Sequence, residues 1–202
     1  MKLGFTNQAV WPAAGLTSPF WSPIYEDTVI SYREVSLASF VAPRLEPEIV
    51  LGFRSDLPRD ASTDEICAAI GWVAPGFEIV QCHYPDWTMA PADAIADAGL
   101  HGFLVVGDRL SGPVTNDALA STQVVLKRGS MVVARGSGAD ALGGPVKAIG
   151  WLLRLPGIEG VASGSIVTTG TITAAQPIAT GEKWQSEYAG PILRSHLEVG
   201  FC

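Results

Sequence analysis

Two glutamates separated by one proline are the residues of this sequence that most directly suggest chemistry. Glu46 and Glu48 flank Pro47 in a stretch typical of an extended strand. Because side chains at i and i+2 of a strand project to the same face, the two carboxylates should lie side by side. A hard divalent cation such as Mg²⁺ or Mn²⁺ prefers carboxylate oxygens and would offset their repulsion. The alternative is a solvated edge strand that carries two acids.

A third carboxylate belongs to Glu78, which lies in the otherwise apolar stretch 76–80. A buried strand seldom carries an unpaired acid, because an isolated charge is costly to remove from water. Glu78 therefore either completes a three-carboxylate metal site or pairs with an arginine in a structural role. The spacing leaves both interpretations open.

Other chemical patterns in the sequence are weaker. Residues 136–141 read G-x-G-x-x-A, but they follow a predicted hairpin strand and not the first strand of a β-α-β unit. The sequence has no G-x-S-x-G motif, and His83, His101 and His196 are not spaced like metal ligands. Cys82 and His83 are neighbours, so on a strand they would point to opposite faces.

The acidic pair follows an unusual N-terminal region. Residues 1–35 are rich in Pro, Trp and Tyr and fit neither a helical nor a strand period, which predicts loops with short strands. The pair itself lies in a strand-like stretch, 45–53, that ends in an apolar run. Pro47 has no N–H to donate to a ladder, so we expect this strand to begin at an edge or a bulge.

The acid at position 78 follows a capping box that runs from Ser62 to Glu65. The box predicts a helix with an apolar face made of Ile66, Ala69, Ile70 and Val73, which Pro75 and Gly76 should end before a strand at 77–82. Further helices are predicted at 92–98 and from Pro145, and further strands at 103–106, 122–127, 131–134, 165–169 and 197–201. Hairpins outnumber crossovers, so the predicted fold class is α+β with antiparallel or mixed sheets.

Composition narrows the function classes. A chain of 202 residues is long enough for one domain with a substantial core. Its net charge of −7 leaves no basic surface for nucleic acid. Charged residues make up only 16% of the chain, against roughly 25% in an average domain. We therefore expect partner subunits to cover part of the surface, which predicts a homo-oligomer.

The sequence also bears on the cellular compartment. No apolar run approaches the length of about 18 residues that a membrane span needs, and the first residues do not form a secretory signal. The three cysteines are an odd number without C-x-x-C spacing, which disfavours both a disulfide framework and structural zinc. A cytoplasmic protein that does not bind membranes is the resulting expectation.

Seven short stretches carry a family resemblance: 2–7, 23–27, 43–49, 78–80, 86–87, 95–97 and 143–145. In this order they resemble the 2-keto-4-pentenoate hydratase and 4-oxalocrotonate decarboxylase group of the fumarylacetoacetate hydrolase superfamily, over essentially the whole chain. The resemblance implies a mixed β-roll with a few short helices, as a single catalytic domain over residues 1–202. The helical segment with which the family usually begins is expected to be absent.

The same resemblance implies a set of site residues. Glu46, Glu48 and Glu78 would hold Mg²⁺ or Mn²⁺, and Lys2 and Asp27 would form a catalytic pair beside the metal. The implied substrate-binding residues are Arg44, Asp97, Thr169 and Gly170, the last two in a loop near the substrate carboxylate. One departure concerns residues 96–101, which read ADAGLH where many members have Ala-Asp-Asn followed by Ser.

The implied activity is that of a metal-dependent lyase in aromatic catabolism. It would act on a small 2-oxo acid or 2-hydroxydienoate through a metal-stabilised enolate, as a hydratase or alternatively as a decarboxylase. Lys2 and Asp27 would move protons, provided that metal charge or burial lowers the pKa of Lys2. A non-catalytic family member is the other class. Hydrolase relatives would need a further water-activating base, and they tend to carry Asp where this chain has Glu78.

Overall fold

The computed structural model describes the backbone of residues 1–202 and all side chains except those of residues 10, 13 and 14. The strands are β1 (Lys2–Gly4), β2 (Phe20–Ser22), β3 (Val29–Ile30), β4 (Glu34–Val35), β5 (Arg44–Phe53), β6 (Leu57–Pro58), β7 (Ile70–Val80), β8 (His101–Val106), β9 (Gln123–Arg128), β10 (Met131–Ser137), β11 (Gly160–Val161), β12 (Ile166–Thr168), β13 (Gln176–Pro177), β14 (Lys183–Ala189) and β15 (Arg194–Phe201). The helices are α1 (Trp11–Ala14), α2 (Thr63–Ala69), α3 (Pro91–Ala96), α4 (Asn116–Ala120) and α5 (Pro145–Leu152). Short 3₁₀ turns lie at Gln8–Val10, Glu26–Thr28, Pro85–Trp87, Ala98–Leu100 and Gly138–Asp140.

The strands form three sheets. The largest has eight strands in the order β2-β1-β12-β5-β7-β8-β3, with β13 also paired to β5. The second sheet has five strands in the order β10-β9-β14-β15-β4, and the third pairs β6 with β11. Most pairs are antiparallel, but β1 with β12, β3 with β8, and β4 with β15 are parallel. The fold is therefore α+β with mixed sheets and few short helices, as predicted.

Alternation along the two central strands separates the core from the acids. Odd-numbered residues of β5 and, from Val73 onwards, of β7 contribute to the two main hydrophobic clusters, one with α5 and one with the five-stranded sheet. The even-numbered residues project to the other face. That face carries Glu46, Glu48 and Glu78 at one end and a small apolar cluster around Val50 and Leu104 at the other.

Helix α2 is shorter than predicted. Its capping box is confirmed, because the Ser62 hydroxyl accepts from the Glu65 N–H while the Glu65 carboxylate accepts from the Ser62 N–H. The helix ends at Ala69, however, and β7 begins at Ile70 and continues through Pro75, where the sequence predicts the helix end. Because β7 lies between β5 and β8 and is buried on both faces, it reads as a continuous apolar run that periodicity alone does not distinguish from a helix.

Two prolines lie inside the central strands. The carbonyl of Pro47 accepts from the N–H of Ile172, so this residue faces the gap between β12 and β13. The carbonyl of Pro75 accepts from the N–H of Gly107, directly after the end of β8. At each position the neighbouring strand is interrupted, so no ladder bond requires the missing N–H. The expectation that this strand begins at an edge or a bulge is wrong: β5 is central in its sheet and its pairing with β7 is regular at Pro47.

The other predicted elements are found close to their expected positions. Helices α3 and α5, strands β8, β12 and β15, the β9–β10 hairpin, and the short strands of the N-terminal region are all confirmed. Among the described residues, no helix combines the length and the apolar character that crossing a membrane requires.

Candidate metal centre

Strands β5 and β7 bring the three predicted metal ligands together. Glu46 lies directly opposite Glu78 in the antiparallel register, and Glu48 is two residues further along the same face. One carboxylate oxygen from each residue lies within 4.8 Å of the others. The alternative of a solvated edge strand is wrong, because β5 is central in its sheet and the Glu48 side chain is 0% exposed.

The carboxylate of Glu48 has one occupied and one free oxygen. Its Oε2 accepts from the hydroxyl of Thr168 and from the N–H of Gly170 at 2.7 Å. Its Oε1 is buried and has no hydrogen-bond partner among the described side chains and backbone. Gly170 can approach so closely because its φ is +97°, and a Cβ there would overlap the hydroxyl of Thr6.

The carboxylate of Glu78 is divided in the same way. Its Oε1 accepts from Lys2 Nζ at 2.6 Å and from His101 Nδ1 at 2.9 Å. Its Oε2 is buried without a partner in the described part of the chain. The structural alternative of an arginine partner is wrong, because a lysine and a histidine occupy that place.

Two unpartnered buried oxygens on adjacent strands fit a divalent cation. Buried polar atoms are almost always hydrogen-bonded, so Glu48 Oε1 and Glu78 Oε2 call for an explanation. In each carboxylate the donors collect on one oxygen and leave the other free, and Glu46 lies beside both. Oxygen ligands from three carboxylates are a donor set that Mg²⁺, Mn²⁺ or Ca²⁺ accepts.

The pKa values of the three acids reflect their crowding. Burial and the charge of Glu78 raise the pKa of Glu46 to about 7. Burial, with Glu78 and Glu46, also raises the pKa of Glu48 well above its ordinary value. Burial opposes the charged form of Glu78 as well, but Lys2 and His101 outweigh it and lower the pKa of Glu78 to about 2. In the absence of a cation, the site thus favours an ionised Glu78, whereas Glu46 and Glu48 are held closer to their protonated forms.

Lys2 does not form the expected pair with Asp27. Its Nζ donates to Glu78 and, at 2.8 Å, to the carbonyl of Gly99. Although burial disfavours the ammonium, the three glutamates hold the pKa of Lys2 above its ordinary value, the reverse of what proton donation requires. Asp27 lies exposed on the turn Glu26–Thr28 and has no ion pair among the described side chains. The pair is not formed because Glu78 is the nearer carboxylate for Lys2.

Two of the predicted substrate-binding residues, Arg44 and Asp97, have side chains that contact residues other than the three glutamates. Arg44 shares the face of β5 that carries Glu46, and its guanidinium carbon stacks 4.0 Å from the ring centroid of Trp87. Asp97 follows α3, and both of its carboxylate oxygens lie 2.9 Å from Nδ1 of His83. The carboxylate of Asp97 is therefore already engaged by a protein side chain.

The other two predicted substrate-binding residues follow β12. Gly170 contacts Glu48 through its N–H, but the Thr169 hydroxyl donates to the carbonyl of Ile49 at 2.9 Å and turns away from the carboxylates. Thr168 makes the contact with Glu48 instead. This threonine is one residue earlier in the same predicted strand, so strand alternation is the signal that distinguishes the two.

Two further residues at the site were not singled out from the sequence. Tyr188 reaches from the five-stranded sheet, and its hydroxyl donates to the carbonyl of Glu48 at 2.9 Å and lies 3.2 Å from that of Gly76. It connects the backbones of β5 and β7 beneath the carboxylates, and no sequence signal indicates it. The spacing of the histidines does not match metal ligands, yet His101 contacts a carboxylate of the site.

Comparison with known protein families and curated proteins gives several matches. A model of the fumarylacetoacetate (FAA) hydrolase C-terminal family matches residues 12–195. The 2-hydroxyhexa-2,4-dienoate hydratase of Comamonas testosteroni is 29% identical over 198 residues, which cover 94% of this chain and 74% of that protein. A 4-oxalocrotonate decarboxylase of a Pseudomonas species is 31% identical over 184 residues, covering 90% of this chain and 71% of that protein.

A solved structure gives the same result for the fold. The 4-oxalocrotonate decarboxylase from Pseudomonas putida G7, complexed with magnesium and adipate, superposes with a TM-score of 0.88 at 24% identity. The match covers 100% of this chain and 76% of that chain. The predicted fold of the fumarylacetoacetate hydrolase type is therefore confirmed.

Proposed function

Because this chain belongs to the fumarylacetoacetate hydrolase family, we propose that it is a divalent-metal-dependent lyase acting on a small 2-oxo acid or 2-hydroxydienoate. Hydratase activity is the first candidate, since a dienoate hydratase is similar over 94% of the chain. The observation that carries the proposal is the pair of unpartnered buried oxygens, Glu48 Oε1 and Glu78 Oε2. A divalent cation bound between them would give both oxygens a partner.

Glu46, Glu48 and Glu78 would hold the cation, which we propose to be Mg²⁺ or Mn²⁺. When bound, such an ion supplies Lewis-acid stabilisation of the negative charge that develops on the oxygens of a 2-oxo acid. The protein prepares for it by fixing two of the three carboxylates. Thr168 and Gly170 hold Glu48, and Lys2 and His101 hold Glu78, so the free oxygens are oriented before any ligand enters.

Lys2 and Asp27 are the proposed proton carriers. Lys2 Nζ is beside the carboxylates, where it can exchange a proton with a substrate that binds over them. Its pKa is raised in this structure by the three glutamates, so proton donation needs added positive charge at the site. Asp27 is on an exposed turn, two residues before β3 of the same sheet. We assign it the proton transfer at the far carbon of the substrate.

Arg44 is the proposed anchor for a substrate carboxylate. It lies two residues from Glu46 on the same face of β5, and a guanidinium can bind a carboxylate through two parallel hydrogen bonds. Gly170, in the loop after β12, would lie near the substrate carboxylate as well. Because the side chains of Asp97 and Thr169 are bound to His83 and to the backbone of β5, we propose that they shape the site.

The test is metal-dependent consumption of a conjugated substrate. With Mg²⁺, the protein should bleach the ultraviolet absorption of 2-hydroxypenta-2,4-dienoate and form the 4-hydroxy-2-oxo acid, and EDTA should stop the reaction. Asp27→Asn should abolish the bleaching and Lys2→Ala should reduce it strongly. Asp60→Asn, in the exposed segment between β6 and α2, is the matched control and should react normally. A metal-loaded protein that consumes no dienoate or 2-oxo acid contradicts the proposal and supports the non-catalytic alternative.

Decarboxylation is the second candidate. A 4-oxalocrotonate decarboxylase is the relative with 31% identity, and another has the solved fold with a TM-score of 0.88. Both reactions would use the same three carboxylates, so the substrate distinguishes them. Release of CO₂ from an oxalocrotonate-type diacid, without hydration of the monoacid, would assign decarboxylase activity.

We also propose that the protein is a cytoplasmic homo-oligomer. Large apolar side chains, among them Tyr25, Tyr32 and Val41, are exposed on the single chain, which supports coverage by a second copy. The three cysteines are unpaired, which supports a reducing compartment. Light scattering should give a mass of at least twice 21.3 kDa, and a monomer at micromolar concentration would contradict self-association.

A further inference from the structure

His101 is a buried side chain that the proposed reaction does not use. It is the first residue of β8, and its side chain is 5% exposed. Its Nδ1 lies 2.9 Å from Glu78 Oε1 and its Nε2 lies 2.9 Å from Thr28 Oγ1. The ring therefore connects a predicted metal ligand on β7 with the turn Glu26–Thr28.

The contact with Glu78 restricts how its carboxylate can rotate. Two donors, Lys2 Nζ and His101 Nδ1, come from different strands and meet on the same oxygen. Their convergence leaves Oε2 as the oxygen without a partner among the described residues. Lys2 has a flexible side chain and is the proposed proton carrier, so it is the less permanent of the two donors. The imidazole ring has fewer rotatable bonds and holds the carboxylate when Lys2 moves.

The contact with Thr28 fixes the turn that carries Asp27. The Thr28 hydroxyl lies 2.9 Å from both His101 Nε2 and the carbonyl of Tyr25, so it is held from two sides. Asp27 is the adjacent residue, and its own side chain is exposed and unpaired in the described structure. The position of its carboxylate therefore depends on how firmly the turn is attached.

The backbone before His101 is strained, which supports a role for this placement. Ala98, Gly99 and Leu100 have φ values of 51°, 66° and 63°, all in the left-handed region. Such conformations are costly for alanine and leucine and persist where surrounding contacts enforce them. Here the strained turn places the Gly99 carbonyl on Lys2 and the His101 ring on Glu78. The strained conformation thus positions two groups, the Gly99 carbonyl and the His101 ring, that both contact the site.

We propose that His101 is a positioning residue with two separable contacts: Nδ1 orients Glu78 so that Oε2 faces the cation, and Nε2, through Thr28, holds the turn of Asp27 next to the site. This inference rests on the proposed function. Each contact predicts a different defect. Loss of the first should weaken metal binding, and loss of the second should slow turnover while metal affinity is kept.

Two substitutions separate the contacts. In His101→Asn the amide nitrogen stands near the place of Nδ1, so it can donate to Glu78 but cannot reach Thr28. In His101→Gln the amide stands near the place of Nε2, so it can reach Thr28 but not Glu78. Thr28→Val removes the hydroxyl at nearly constant volume, with its contacts to His101 and to the Tyr25 carbonyl, and so tests the attachment of the turn without changing His101. His196→Asn, on an exposed position of β15, is the matched control.

Mg²⁺ affinity by calorimetry and steady-state kinetics are the two readouts, with circular dichroism to check folding. We expect His101→Gln to weaken Mg²⁺ binding about 10- to 100-fold, the usual effect of losing a hydrogen bond behind a metal ligand. His101→Asn and Thr28→Val should keep Mg²⁺ affinity within about threefold but lower kcat with little change in KM. His196→Asn should match the wild type in both measurements.

The outcomes distinguish this inference from the proposed function. If His101→Gln keeps wild-type Mg²⁺ affinity, or if the Asn and Gln variants behave alike in both measurements, the two-contact role is wrong even though the lyase stands. If the wild type binds Mg²⁺ but consumes no dienoate or 2-oxo acid, the lyase proposal fails, while weakened binding in His101→Gln still supports the orientation of Glu78. If the wild type binds no divalent cation, both are overturned.

Discussion

Two lysine–glutamate pairs, one in each of the large sheets, have the same N–O distance of 2.6 Å and opposite surroundings. In the eight-stranded sheet, Lys2 and Glu78 have side chains that are 4% and 0% exposed. In the five-stranded sheet, Lys127 and Glu187 are 24% and 45% exposed on the open face of β9 and β14. Distance alone would rank them as equals.

The difference shows that the buried pair, unlike the exposed pair, lowers the stability of the fold. An exposed pair is screened by water and contributes at most about 1 kcal/mol, so Lys127 and Glu187 could be exchanged for other polar residues. A buried pair loses its hydration, and here two further acids, Glu46 and Glu48, crowd the same face. A protein selected only for stability would not place three carboxylates there, so the buried pair indicates function.

The largest expected difference between the two regions is the effect of a substitution at Glu48. Glu48→Gln keeps the shape but replaces one carboxylate oxygen with an amide, so we expect Mg²⁺ affinity to fall more than about 1,000-fold, or about 4 kcal/mol. The metal-free variant should be more stable than the wild type, because one of three repelling acids is gone. Calorimetry and thermal denaturation measure the two effects. Glu187→Gln is the control, and unchanged binding in Glu48→Gln would refute the metal assignment.

The two lysines can be compared directly by the same substitution. Lys2→Met leaves Glu78 buried with one donor fewer, so the free energy of unfolding of the metal-free protein should fall by about 3 kcal/mol. Lys127→Met should cost less than about 1 kcal/mol, because water replaces the lost partner of Glu187. Urea denaturation with EDTA present measures both. Equal losses in the two variants would show that burial does not distinguish the pairs.

The stability of the metal-free protein should depend on pH through the site. The pKa of Glu46 rises from an ordinary 4.5 to about 7 on folding, so the folded chain holds this proton more tightly than the unfolded chain. The contribution of Glu46 to the free energy of unfolding should therefore decrease as pH rises from 4.5 to 7 and then level off. Glu48 shifts in the same direction. Thermal denaturation in EDTA measures this decrease.

Glu46→Gln is the control for the pH effect and should flatten the decrease between these pH values. Saturating Mg²⁺ should reverse it, because the cation binds the ionised carboxylates and its affinity increases as they lose protons. An identical pH dependence in the wild type and in Glu46→Gln would contradict the raised pKa of Glu46.

The smallest predicted effect concerns the edge of the site. Trp87→Leu removes the ring beneath the Arg44 guanidinium, a contact worth about 0.5–1 kcal/mol at a partly exposed position. KM should rise a few-fold with kcat nearly unchanged, because Arg44 is proposed to bind substrate and not to move protons. Steady-state kinetics measure this. A large loss of kcat would instead place Arg44 in the chemical step.

Local signals in the sequence predict local structure well. The capping box at Ser62 and the proline at the start of α5 specify helix starts through contacts a few residues apart, and both are confirmed. The extent of β7 depends on β5 and β8 on either side of it. Pairing with strands that are distant in sequence overrides the helical spacing of Ile66 to Val73, and no local pattern carries that information.

The site shows the same limit. The three glutamates are predictable because two share one strand and the third is the lone acid of another. The partner of Lys2 is not, because an exposed turn and a buried strand both offer it a carboxylate, and only the folded register selects Glu78 over Asp27. His101 and Tyr188 contact the site from strands whose positions follow from the whole topology.

The register that assembles the carboxylates also governs when they assemble. Thr168 and Glu48 are 120 residues apart and Lys2 and Glu78 are 76 residues apart, whereas the β9–β10 hairpin closes between Arg128 and Met131. Contacts between residues that are far apart in sequence have the largest entropic cost of loop closure, and they form late in folding. The hairpin should therefore form early, and the site should close near the end. An ion that binds only the closed site would prolong the native state by slowing its unfolding, without accelerating folding.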